Sequence, residues 1–184
     1  MLYIIGLGLG DKKDITVKGL EAIKKSDLVY LEYYTSKLAS SVQELEQYYK
    51  RKIIVADRNL IENTNEILEQ AKLKIVSLLV IGDPFSATTH INFYTDARKQ
   101  GIKVQVIHNT SILTTVGITG LSLYNFGKTT SLPFNNKEIV TPLEVLKMNQ
   151  KNNLHTLLLF DLDPINNNFM TSKQEIEYLH KNRV

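Results

Sequence analysis

Residues 75 to 90 read IVSLLVIGDPFSATTH. From Ile75 to Ile81 only Ser77 is polar, and Gly82, Asp83 and Pro84 then close the run. A strand with one solvated face would alternate polar and apolar residues, so this one is predicted to be buried on both faces, as strands of parallel sheets are. The flanking segments agree. Asn63, with Glu66 three residues on, forms a capping-box pattern that predicts a helix over Ile67, Leu68 and Ala71. Downstream, His90 to Lys99 reads as a helix ended by Gly101, and Val104 to Ile107 as another strand. Upstream come a strand at Leu2 to Leu7, a helix carrying Val17, Leu20 and Ile23, and a strand at Leu28 to Glu32. A short helix over Leu45 to Tyr49 and a third strand at Ile53 to Val55 complete the series. Strand and helix alternate throughout, which predicts an α/β fold: a parallel sheet sandwiched by helices.

After Gly127 the texture changes. Asparagines cluster at residues 135 and 136, 152 and 153, and 166 to 168. Thr141, Pro142 and Glu144 supply a cap, a first-turn proline and a capping-box acid for one helix. Leu154 to Phe160 reads as a strand, and Ser172 with Glu175 opens a last helix. The expected organisation is an amino-terminal α/β domain at 1–127 and the start of a second, incomplete α/β domain at 128–184.

Composition narrows the chemistry. The 184 residues contain no cysteine, which excludes disulfides, thiolate metal sites and cysteine nucleophiles, and suits a reducing compartment. Lysine and arginine number 22 against 19 acids, a net charge of +3 with no basic stripe, so nucleic acid is not an expected partner. No apolar run is long enough to span a bilayer, and the start MLYIIG lacks the basic and small-residue flanks of a signal peptide. A cytoplasmic protein with no membrane partner is expected. The histidines at 90, 108, 155 and 180 share no metal-ligand spacing and read as strand-edge or surface residues. The pairs Tyr33, Tyr34 and Tyr48, Tyr49 read as core-edge or interface residues.

Three loops then stand out, each after a predicted strand, where open α/β sheets bind ligands. Gly6, Gly8 and Gly10 follow the first strand in a G-x-G-x-G spacing that is neither the dinucleotide fingerprint nor a P-loop. A tight structural turn and a ligand loop are equally good readings of it, and Asp11 and Asp14 would repel a phosphate. Asp83 to His90 follows the fourth strand, with Thr88 or Thr89 as an alternative reading in which the segment only caps a helix. Asn109, Thr110, Ser111 and Ile112 follow the fifth, where Ser111 could equally cap the next helix. One edge carrying all three makes a pocket the better reading.

The blocks MLYIIGLGLGDKKDITVKGLEAIKKSDLVYLEYYTS, VADR, GDPFSATTH and VIHNTSI together resemble diphthine synthases. These are a branch of the tetrapyrrole methylase-like S-adenosylmethionine methyltransferases. The resemblance runs from Met1 to about Gly127, resumes at Leu154 to Asp161 and returns weakly at Phe169 to Leu179. It implies transfer of methyl groups from S-adenosylmethionine, without a metal, to the amino group and a carboxylate of a modified histidine on translation elongation factor 2. It also implies a homodimer. Carried over by position, the cofactor contacts would be Leu9, Asp83, Ser86, Ser111, Ile112 and Phe160, with no catalytic base assigned. Ser86 stands where many relatives have glycine, and Phe160 where leucine is common. Chains of the family are longer, so the competing expectation is a non-catalytic cofactor-binding module of the same fold.

Overall fold

The computed structural model describes residues 1–86, 90–136, 139–163 and 166–181. The chain divides into two compact units, Met1–Ile112 and Leu113–Val184. The first contains β1 (Leu2–Gly6), α1 (Val17–Lys25), β2 (Leu28–Glu32), α2 (Val42–Tyr49) and β3 (Ile54–Ala56). It continues with α3 (Arg58–Glu62), α4 (Glu66–Leu73), β4 (Val76–Val80), α5 (His90–Lys99) and β5 (Val104–Ile107), and the single turn α6 (Ile112–Thr115) follows. The five strands form one sheet in the order β3-β2-β4-β1-β5, and every neighbouring pair is parallel.

Both faces of that sheet are covered. Leu2 and Ile4 of β1, Tyr30 of β2 and Val76, Leu78 and Val80 of β4 pack with Ile67, Leu68, Ala71, Phe93 and Ala97 from α4 and α5. Ile5, Val29, Leu31 and Leu79 point the other way, onto Ala22, Ile23, Leu45 and Tyr49 from α1 and α2. Every residue of β4 is buried, as its almost wholly apolar sequence requires. The polar exception, Ser77, meets the hydroxyl of Ser26 at 2.7 Å, and Ser26 also donates to the Ala22 carbonyl. A buried hydroxyl pair is thus satisfied without water.

Several local readings need correction. The α1 face is rotated from the Val17, Leu20, Ile23 stripe: Val17 is exposed, and Gly19, Ala22 and Ile23 are buried. Gly19 lets the helix approach the sheet so closely that a Cβ there would lie 3.0 Å from Ile5. Asn63 does not cap α4; it ends α3, a helix too short to show periodicity and capped by Asp57, whose carboxylate accepts from Leu60 N at 2.8 Å. Asn65 precedes α4 without a side-chain cap bond. Ser41 and Glu44 form the complete capping box instead, on α2. The Gly101 reading holds, with φ at +73° after α5.

The second unit holds β6 (Thr130–Leu132), α7 (Thr141–Lys151), β7 (Leu158–Phe160), β8 (Leu162–Asp163), β9 (Asn168–Phe169) and α8 (Ser172–Lys181). The strand read at Leu154 to Phe160 is therefore only its last three residues, paired in parallel with β6. Thr141 is the first residue of α7 rather than its cap. Thr171 and Gln174, not Ser172 and Glu175, exchange the capping bonds of α8. Leu132, Leu143, Met170 and Tyr178 form a small core.

Asn149, buried on α7, bridges both backbone groups of Lys128 and donates to Thr156 Oγ1 at 2.8 Å. Asn149→Ala leaves those groups unpaired, and is expected to lower unfolding stability by about 2 kcal/mol in urea titrations. Among the described residues no helix is long and apolar enough to cross a membrane.

Candidate functional site

Because all five strands run the same way, the loops after β1, β4 and β5 emerge at one edge, and those three strands are neighbours in the sheet. β1 sits between the other two, so the glycine loop lies between the Asp83 and Asn109 loops. Its first glycine has no room for a side chain: a Cβ on Gly6 would come within 2.6 Å of the Gly82 carbonyl and 2.8 Å of Asn109 Cβ. Gly8 and Gly82 adopt φ of +78° and +79°, backbone that favours glycine. Their amides and carbonyls bond reciprocally, at 3.2 and 2.8 Å, so the first two loops are stitched together.

Asp14 is exposed and is also bound to the glycine loop. Its carboxylate accepts from Gly10 N at 2.7 Å and closes the glycine turn on itself. Asn109 fastens the third loop to the first, its amide donating to the carbonyls of Gly6 and Asp14, both at 3.0 Å.

Asp83 is the knot of this arrangement. It is 7% exposed. Oδ1 accepts from Phe85 N at 3.0 Å and, more weakly, from Ser86 Oγ at 3.4 Å. Oδ2 accepts from Asn109 N at 3.1 Å and from His108 Nδ1–H at 2.8 Å. Burial acts to raise its pKa, but the Phe85 and Asn109 amides and His108 together outweigh it and hold the carboxyl below the usual carboxylate range. Phe85 adds edge contacts to Tyr94 and His108, with ring centres 5.7 and 5.9 Å apart.

The sign of the pH effect follows. The folded pKa lies below the unfolded value of 3.8, so the unfolded chain binds more protons in that window and stability rises with pH through it. The contribution is complete above pH 3.8 and is lost as pH falls through the folded pKa. Wild type and Asp83→Asn should therefore differ in urea midpoint at pH 7 and converge only as the pH falls through the lowered folded pKa.

Of the residues carried over by position, Leu9, Asp83, Ser86, Ser111 and Ile112 lie on these three loops. Leu9 and Ile112 are 37% and 41% exposed, and Ser111 is buried. Leu9 lies against Gly82, its Cδ2 3.5 Å from where a Cβ there would sit. Exposed aliphatic groups beside glycine backbone suit the flat, partly apolar surface of a nucleoside. Phe160 ends β7 in the second unit, packed against the core of Leu132, Leu143, Met170 and Tyr178. The alternative caps Thr88 and Thr89 lie outside the described residues. Sequence reasoning missed His108 and the clamping role of Asn109. It also placed His90 at an edge or surface, whereas that residue is buried, because α5 turns it toward the sheet.

Comparisons with known proteins agree with this fold. The family model of the tetrapyrrole (corrin/porphyrin) methylases matches residues 1–172. A diphthine methyl ester synthase of Dictyostelium discoideum is 45% identical over 190 aligned positions, covering the whole of this chain and 67% of that protein. One from Saccharomyces cerevisiae is 47% identical, covering the whole chain and 60% of that protein. A crystal structure of diphthine synthase superposes with a TM-score of 0.85 at 46% identity, covering 89% of this chain and 65% of that one. The chain thus spans 60% and 67% of the length of these two curated relatives. A parallel β3-β2-β4-β1-β5 sheet with three linked loops on one edge, and a sequence match over almost the whole chain, place it in the tetrapyrrole methylase family, on the diphthine synthase branch.

Proposed function

We propose that the chain binds S-adenosylmethionine on the loops after β1, β4 and β5 and belongs to an enzyme of diphthamide biosynthesis. The enzyme methylates the modified histidine of translation elongation factor 2. The observation that carries the reading is the Asp83 knot, which ties the loop after β4 to the loop after β5, while the Gly8–Gly82 bonds tie the loop after β1 to the loop after β4. The relatives' names, diphthine synthase and diphthine methyl ester synthase, support the choice of substrate. The proposed contacts are Leu9, Asp83, Ser86, Ser111, Ile112 and Phe160.

The cofactor's sulfonium supplies an activated methyl group, transferred to a nitrogen or carboxylate oxygen while a neutral thioether leaves. Such a transfer needs no acid at the leaving group, so the chain's own contribution is alignment and exclusion of water. Asp83 fits a positioning role: with four donors on its two oxygens it stays ionised and is a poor proton acceptor. Gly6, Gly8 and Gly82 keep the loop backbone close and free of side chains. Leu9 and Ile112 offer the apolar surface.

Isothermal titration of the chain with S-adenosylmethionine tests the reading. Saturable binding with one site per chain is expected, and a folded protein that takes up no heat overturns it. Incubation with unmethylated elongation factor 2 and labelled cofactor then separates an active enzyme from a binding module, which would bind without transferring label.

A further inference from the structure

The five parallel strands all begin at the edge opposite the three loops, and α1, α2, α4 and α5 all end there. The last turns of those helices, with the short connections that follow them, hold ten of the fifteen lysine and arginine residues of Met1–Ile112 and only three of its thirteen acids. All ten cations are exposed. Lys52, Lys72 and Lys99 pair with Glu46, Glu69 and Asp96 at 3.2, 2.6 and 3.1 Å, and the other seven have no ion-pair partner among the described residues. Each helix dipole favours a cation at its end, which explains the separate positions but does not require their sum to go unneutralised. No single stretch of sequence shows this face, because its members come from four separate connections.

The sheet sets the spacing. Lys52, Lys74 and Lys103 stand just before β3, β4 and β5, which alternate with β2 and β1 in the sheet order. Strand spacing therefore puts them about 10 Å apart, in a row about 19 Å long. Asp27, before β2, is the acid of this row, and its carboxylate is held by Ile75 N at 2.9 Å. To one side, the Arg51 guanidinium donates to the Lys24 carbonyl and joins the ends of α1 and α2. A groove of about 440 Å³ opens there, lined by residues that include Gln43, Gln47, Lys50, Arg51 and Lys52. Tyr48, on the last turn of α2, is half-exposed, with its ring at a steep angle to that of Tyr49.

We propose that this face binds a single-stranded polynucleotide through its phosphodiester backbone. A row of exposed cations, most of them without an acid partner, matches a linear polyanion. The glutamine amides of the groove can donate to phosphate or sugar oxygens, and the Tyr48 ring offers a surface on which one base can stack. An anionic lipid surface fits less well: among the described residues of these turns and connections, Leu73 is the one large aliphatic side chain that is exposed. An acidic peptide would use the cations and leave the Tyr48 ring idle. Contacts of this kind read the backbone, so ribose and deoxyribose strands should bind alike. The face lies at the opposite edge of the sheet from the three loops, and it stands or falls independently of the cofactor reading.

The test is fluorescence anisotropy of a labelled uridine dodecanucleotide titrated with the chain. Saturable binding is expected at low salt, with log K falling against log salt at a slope of about −3, as when about four phosphates of a single strand are neutralised. A deoxythymidine strand of the same length should bind within about threefold of it. A glutamate dodecapeptide and phosphatidylserine vesicles should each bind at least about tenfold more weakly. Lys25→Glu, Lys74→Glu and Lys103→Glu together should weaken the strand at least about tenfold. Lys13→Glu, Lys18→Glu and Lys37→Glu make the same change of net charge at the other edge, and should weaken it less than about threefold. Amide shifts of the wild-type chain should gather at residues 24–27, 47–53, 72–75 and 98–103. Absence of saturable binding, shifts that gather elsewhere, equal losses in the two triple variants, or tighter binding of the peptide or the vesicles would overturn the proposal.

Discussion

Asp83→Ala is expected to cost the chain about 3 kcal/mol of unfolding stability and to reduce S-adenosylmethionine affinity at least tenfold. The carboxylate accepts from the Phe85 and Asn109 amides and from His108. Removing it strands the two amides in a part-buried place, each worth about 1–3 kcal/mol. Because those donors belong to different loops, the loss also unties the Asn109 loop from the Asp83 loop. Asp83→Asn separates the two contributions. Its amide oxygen can still accept from Phe85, but its NH2 group then faces the Asn109 N–H, donor against donor. About half the loss of the alanine variant is expected. Urea unfolding reads the first quantity and calorimetric titration the second. If alanine and asparagine variants were as stable as wild type, the knot would contribute nothing.

Gly6→Ala should be comparably severe for a different reason. The added methyl would overlap the Gly82 carbonyl and Asn109 Cβ, at 2.6 and 2.8 Å, and the first of these is backbone. Backbone cannot rotate aside, so the sheet edge must spread or the loops part. A loss of about 3 kcal/mol is expected, the upper part of the range for overpacking. Gly82→Ala is the control, since its Cβ would meet only ordinary contacts at 3.5 and 3.9 Å and the cost there is the strain of φ +79°. The Gly6 variant should also lose cofactor affinity by more than the Gly82 variant does. Equal small losses in both would show that the close approach of the loops is not needed.

The sheet was legible in sequence because β4 and β1 are apolar on both faces, Ser77 excepted, and because glycines stand at their ends. Asp83 was legible too, placed by the strand before it and the proline after it. Asn109 and His108 were not. Their partners lie about 25 and 100 residues away in sequence, and they meet only when β5 pairs with β1 in the register that sets Leu2 opposite Val104. The glycine loop was ambiguous for a related reason: whether Asp14 repels an anion or closes the turn depends on where its side chain turns. The short elements α3 and β6 were missed because five residues and three residues carry no period. His90 looked peripheral because one histidine at a helix start says nothing of which way the helix faces. Its burial comes from α5 packing Phe93 and Ala97 onto the sheet.

The central claim is that the three loops at the carboxyl edge of β1, β4 and β5 form the S-adenosylmethionine site. Backbone amide shifts of the nitrogen-15-labelled chain, recorded during titration with S-adenosylmethionine, test it most directly. Saturable shifts concentrated at residues 7–11, 82–86 and 108–112 are expected, and in Asp83→Ala, under conditions where that variant remains folded, they should require at least tenfold more cofactor. A folded chain whose amides do not move, or whose shifts gather away from those loops, would contradict the account.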